Sequence, residues 1–203
     1  MSPKSRNQAL ANVERNLFQA QEKIYTDRIE KAKAFIAGLK PGQQNYSGEL
    51  CNAYIYLGQQ YYGLGQLELS KEMYEKAAQS DSKNAQAWVG LAMTLAEGGD
   101  LYGAQAALDK ALEISPQDAD IWLRSIQLRD KTGSSAADVN QLYQQALEAT
   151  GRKADIITSY AQFEEKQGKI EAAILLWQEA VKNNPISASA YEAEITRLKA
   201  AGR

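Results

Sequence analysis

Two adjacent carboxylates, Glu164 and Glu165, one thiol, Cys51, and two glycine segments, Gly63–Gly65 and Glu97–Asp100, are the residues whose types and spacing bear on chemistry. Paired carboxylates suit acid–base work, a thiol at a helix start suits nucleophilic attack, and glycine loops cradle phosphate. Each lacks its complement. With no histidine and a single cysteine, neither a hydroxyl–imidazole or thiol–imidazole pair, nor an internal disulfide, nor a multi-cysteine metal site can be assembled. Neither glycine segment is followed by the lysine and hydroxyl residue of a phosphate loop, so both are expected to be turns. The carboxylates are expected to be solvated helix charges and Cys51 a small buried thiol. No catalytic residue, metal or cofactor is assigned, and the chain is expected not to be an enzyme.

The elements that would position any site are helices. The 203 residues are 44% hydrophobic and 24% charged, a profile that supports a packed core. Only four prolines interrupt a chain rich in Ala, Gln, Glu, Leu and Lys, so an all-α protein is expected. The formal net charge of −2 points to neither nucleic acid nor membrane. Between Met1 and Lys40 the basic residues, Lys4 and Arg6 among them, outnumber the acidic ones by eight to four. They alternate with acids at helical spacing, which reads as a solvated face. No run of about 18 apolar residues occurs, so no spanning segment is expected.

The strongest signal is a period. Gly65, Gly99 and Gly133 follow one another at 34 residues, and Gly168 comes after 35. Ala77, Ala111, Ala146 and Ala180 keep the same intervals, as do Tyr74, Leu108, Tyr143 and Trp177, each three residues ahead of its alanine. Trp88 and Trp122 form a further column, and Pro116 and Pro185 close two units.

These columns, clearest in the stretch from Ala87 to Pro116, resemble the tetratricopeptide repeat family. Tyr160 to Gly168 looks like the related half-a-TPR repeats. The resemblance implies a right-handed α-solenoid of tandem antiparallel helix pairs. Gly98 and Gly99 would end a first helix in left-handed backbone, while Ala104 and Ala111 would admit close helix approach. Four units are expected, 51–84, 85–118, 119–153 and 154–187. The extra residue of the third is placed in the turn from Thr132 to Asp138, which puts Val139 at a small-residue position. A leader, 1–50, would cap the first unit as one helix or a pair, with Ile29, Phe35 and Ile36 packing inward and Pro41 and Gly42 ending it. Its apolar spacing, Leu10, Val13, Leu17 and Ile24, also fits a dimerising heptad. A capping helix with a frayed tail, 188–203, would close the other end, using Tyr191, Ile195 and Leu198.

In this family the first helices line a concave face. The matching residues are Ile55, Gln59 and Tyr62, then Gln86, Val89, Met93 and Glu97, then Asp120, Leu123, Gln127, Asp130 and Lys131, and finally Asp155, Thr158, Gln162, Glu165 and Lys166. The expected function is a protein–protein interaction scaffold that takes a peptide or helix with an apolar anchor and basic residues. No small-molecule substrate or nucleic acid is expected. The lysine-rich carboxylate clamp of chaperone-tail receptors is missing, since Ile55, Gln59, Gln86 and Gly90 stand there. The alternatives are a self-associating assembly element acting as a homodimer through the N-terminal helix, and the soluble domain of a membrane-anchored bacterial maturation factor. A cytoplasmic placement is favoured over the periplasmic side of an anchored protein.

Overall fold

The computed structural model describes residues 3–201, with side chains for 12–200. Lys4, Arg6 and Leu10 of the leader and the tail from Ala201 to Arg203 lie outside the described side chains. Among the described residues there are helices and turns only: α1 (Pro3–Gly38), α2 (Tyr46–Gly63), α3 (Leu67–Ser80), α4 (Ala85–Glu97), α5 (Leu101–Ile114), α6 (Ala119–Lys131), α7 (Ala136–Thr150), α8 (Ala154–Lys166), α9 (Ile170–Asn183), a 3-10 turn (Pro185–Ser187) and α10 (Ala188–Ala201). No described helix is long and apolar enough to cross a membrane.

The glycine column marks the turns inside helix pairs. Gly65, Gly99, Gly133 and Gly168 all have positive φ, between 71° and 88°, a backbone that a Cβ would penalise by about 1–2 kcal/mol. Gly98, by contrast, has ordinary helical backbone, with φ −74°, so the left-handed step is carried by Gly99 alone. The α6–α7 turn occupies 132–135 where the α4–α5 turn occupies 98–100. The extra residue therefore sits in that turn, and Val139 is buried on α7.

Several helix starts are capped by the residue chemistry expected there. The Asn84 side chain accepts from Gln86 N–H at 3.0 Å, Asp118 from Asp120 N–H at 2.9 Å, and Ser135 from Asp138 N–H at 3.1 Å. Two tryptophans add ties that the column itself does not announce. Trp88 Nε1 donates to the Ser82 carbonyl at 3.3 Å, and Trp122 Nε1 donates to the Pro116 carbonyl at 2.8 Å. Each pins the first helix of a pair to the turn that precedes it.

The chain forms two compact units, Met1–Ala107 and Leu108–Arg203. In the first, Ile29 and Ala32 of α1 pack with Leu57, Tyr61 and Met73, and Cys51 with Ala77, Ala78 and Ala87. Of the two arrangements expected for the leader, one helix or a pair, its helical part is one continuous helix, Pro3–Gly38. Phe35 does not pack inward as expected; it is 52% exposed, because Ile29, Ala32 and Ile36 define the buried stripe and Phe35 lies about 100° around the helix from Ile36.

In the second unit Val139, Tyr143, Leu147, Ile156, Ile157, Phe163 and Trp177 form the core, and α10 joins it through Leu198, with Tyr191 and Ile195 alongside. The Tyr143 ring stacks on Tyr160 at 4.7 Å, and the Trp177 ring meets Tyr191 of α10 at 5.6 Å. Glu164, expected to be a solvated charge, is instead only 3% exposed. It stands on the stripe set by Ile157, Tyr160 and Ala161, all buried, and its Oε2 reaches Lys169 Nζ at 3.3 Å.

Candidate partner-binding faces

In the first unit α2 and α4 are neighbours with α3 packed against both, which leaves one side of each first helix open. On α2 Gln59 is exposed while Ile55 and Tyr62 are half-buried; on α4 Gln86, Met93 and Glu97 are exposed. Met93 shows 39% of its surface, a flexible thioether that adapts to an apolar surface. Val89 departs from the expected set. It is buried at 5%, its side chain turned into the packing, so it supports this face from beneath and offers no contact surface.

Position along the chain pointed to these residues but not to the cavity beside them. Between α1 and α2 lies a cavity of about 450 Å³, lined by Arg28, Lys31, Ala32, Phe35, Glu49, Asn52, Ala53 and Tyr56. Phe35 and Tyr56 are exposed at 52% and 39% and supply an apolar floor, with Arg28, Lys31 and Glu49 carrying the charges around it. The signal that could have found it was the extra aromatic on α2 one residue beyond Ile55.

The second unit presents α6 and α8, also neighbours. Here Asp120, Gln127, Asp130, Asp155 and Gln162 are exposed and Leu123 and Thr158 half-buried. The expected acidity is largely answered from within. Asp120 Oδ2 accepts from Arg124 Nε at 2.7 Å. Asp130 Oδ2 lies 3.5 Å from Lys166 Nζ, joining the two helices. Glu165 accepts from Arg197 Nη2 of α10 through both oxygens at 2.8 Å. These are exposed pairs, each worth no more than about 1 kcal/mol, but they absorb the charge that a basic partner would otherwise meet.

Among the described residues no group of three or more His, Cys, Asp or Glu stands together as a metal-ion cluster would. Cys51 is fully buried, and burial, reinforced by Asp81 and opposed by a hydrogen bond from Asn84, pushes its thiol above the usual range. The faces are surfaces of apolar, amide and internally paired charged groups.

The tetratricopeptide repeat family's sequence model matches residues 61–126. No curated protein matches the sequence. Among solved structures, that of MamA is similar with a TM-score of 0.60 at 17% identity, covering 79% of this chain and 89% of that one. The Pseudomonas aeruginosa pilF protein gives 0.60 at 20% identity, covering 77% of this chain and 71% of its own. TTC0263, a thermophilic TPR protein of Thermus thermophilus, gives 0.55 at 16% identity, covering 91% and 98%. At such identities the likeness is one of fold, an array of antiparallel helix pairs. Residues 61–126 thus match the tetratricopeptide repeat model in sequence, and most of the chain shares the fold of solved structures that include a tetratricopeptide repeat protein.

Proposed function

We propose that the chain is an interaction scaffold of four helix-pair units, 51–84, 85–118, 119–153 and 154–187, set between a helical leader and a capping helix, and that it holds a peptide or helix of a partner protein on the open faces of its first helices. The observation that carries this reading is the pairing, within the first unit, of an exposed Met93 with the aromatic-floored cavity of Phe35 and Tyr56. The α2–α4 face offers apolar contact and amides from Gln59 and Gln86, and it takes the apolar anchor. The α6–α8 face keeps Asp155 and the amides Gln127 and Gln162 open while its other acids are paired internally, so within the second unit it offers polar contact.

The experiment is affinity capture with quantitative mass spectrometry, comparing the chain with the double variant Tyr62→Ala, Met93→Ala. Both residues lie at the surface of first helices, so circular dichroism is expected to show unchanged helix content while the captured partner falls by roughly tenfold or more, as loss of anchor contacts does. Undiminished capture by a folded double variant would overturn the assignment of the face.

A further inference from the structure

The leader helix does two different things along its length. Its second half docks on α2 through Ile29, Ala32 and Ile36, and Tyr25 lies against Gly63, where an added Cβ would stand 2.6 Å from the ring. Ahead of Tyr25 every described side chain from Asn12 to Ile24 is exposed. Four of them are large and apolar: Val13 at 54%, Leu17 at 65%, Phe18 at 67% and Ile24 at 50%. Val13, Leu17, Ala20 and Ile24 follow at intervals of four, three and four, one continuous stripe on a helix. An isolated helical stretch of this size is marginal in water without a packed face, and no described element covers this stripe.

We propose that the cover is the same stripe of a second copy of this chain, in antiparallel orientation. Three features of the residues favour this occupant. First, the stripe is complementary to itself only when reversed. About an axis between Phe18 and Gln19, Val13 meets the partner's Ile24 and Leu17 meets the partner's Ala20, so each layer joins a larger to a smaller side chain. In a parallel pair each residue meets its own copy, and two Ala20 side chains leave a gap. Second, charge separates the orientations. Parallel pairing sets Asp27 against the partner's Asp27 and Lys23 beside the partner's Arg28, both repulsive. Reversed, the flanks bring Glu14 to the partner's Gln21 and Asn16 to the partner's Lys23, with no like charges in contact. Third, along the exposed stretch from Asn12 to Ile24 the bases Arg15 and Lys23 are balanced by Glu14 and Glu22, so the flanks of the stripe carry no net positive charge of their own toward an anionic lipid surface.

The test is sedimentation velocity of the full chain over a concentration series, beside Leu17→Glu on the stripe and Gln19→Glu on the opposite side of the helix. Self-association that Gln19→Glu keeps and Leu17→Glu weakens by roughly a hundredfold, as a carboxylate forced into an apolar layer does, supports the proposal. A monomer at every concentration, or a dimer indifferent to Leu17→Glu, overturns it. Orientation is read in a Cys51→Ala background by oxidising Val13→Cys and Ile24→Cys chains. A disulfide formed when the two are mixed, and not by either alone, supports the antiparallel pair, whereas Val13→Cys chains that cross-link with themselves overturn it. Co-flotation of the wild type with anionic phospholipid vesicles, lost in Leu17→Glu, would assign the stripe to a membrane and overturn it as well. A monomer result leaves the α2–α4 face untouched, so the two readings fail separately.

Discussion

The Tyr74 ring of α3 lies so close to Gly90 of α4 that a Cβ there would stand 2.0 Å from Cε1, while on the other side one at Gly58 of α2 would stand 2.8 Å from Cε2. The ring is 5% exposed and acts as the spacer that sets two first helices beside each other. Because it is trapped from both sides, it cannot swing away from an added methyl. Gly90→Ala is therefore expected to cost about 1–3 kcal/mol by overpacking, measured by urea denaturation. Combining it with Tyr74→Leu should recover part of that loss, a coupling that a double-mutant cycle reads directly. If Gly90→Ala is neutral, the ring does not set the spacing.

The same ring has a pH signature. Burial, reinforced by Tyr62, pushes the Tyr74 phenol up to about 12. A phenol whose folded pKa lies above its unfolded value near 10 favours the folded state fully below that value and loses this contribution as pH rises toward the folded pKa. Stability should therefore fall between about pH 10 and 12, and Tyr74→Phe should flatten that fall in alkaline denaturation curves.

How legible this was depends on what a residue's type reveals. Left-handed turns at Gly65, Gly99, Gly133 and Gly168 are visible from spacing, because only glycine recurs where backbone demands it. Gly90 is not visible, since its role is set by a ring sixteen residues earlier and it reads as filler within an apolar helix. The burial of Glu164 is readable from its three-, four- and seven-residue spacing to Ala161, Tyr160 and Ile157, but its charge and its neighbour Glu165 point outward. Phe35 fails in the opposite sense. Periodicity identifies an apolar stripe along α1 but cannot say which of two adjacent stripes meets α2.

Arg152 and Glu179 give an acid-side prediction. Arg152 adopts a left-handed backbone, φ 61°, while its guanidinium donates to both Glu179 oxygens, the Nη2 to Oε2 bond at 2.7 Å. That hydrogen-bonded pairing, opposed in part by burial, holds the Glu179 carboxyl below its ordinary range. A carboxylate with a lowered folded pKa contributes stability above its unfolded pKa of about 4.3 and loses it as pH falls through the folded value. Glu179→Gln should thus be less stable than the wild type at neutral pH, with the difference closing below about pH 4. A pH-independent gap in thermal melts would show that the pair does not contribute through its charge.

Cys51 should report opening of the first unit. Its thiol is fully buried and held above the usual range by that burial, so both access and thiolate fraction oppose reaction. An aromatic disulfide reagent is expected to label it at least about a hundredfold more slowly in the folded chain than in denaturant, and a labelling rate near the denatured one would mean that α2 opens readily around Cys51.

The last prediction concerns Glu164, whose Oε1 has no hydrogen-bond partner while Oε2 meets Lys169 at 3.3 Å. Ordinary exposed ion pairs contribute at most about 1 kcal/mol, but here the carboxylate is buried and the lysine that meets it is 51% exposed in its side chain. Removing the lysine leaves a charge in the core, whereas removing the charge leaves an exposed lysine free to hydrate. The two substitutions are therefore unequal. Lys169→Ala is expected to cost about 1–3 kcal/mol, and Glu164→Gln, which keeps the shape, to cost less. Adding Lys169→Ala to Glu164→Gln should then change stability by no more than about 0.5 kcal/mol, measured by urea denaturation. If Lys169→Ala costs as much in the Glu164→Gln background as in the wild type, the lysine acts through packing and not through the buried carboxylate.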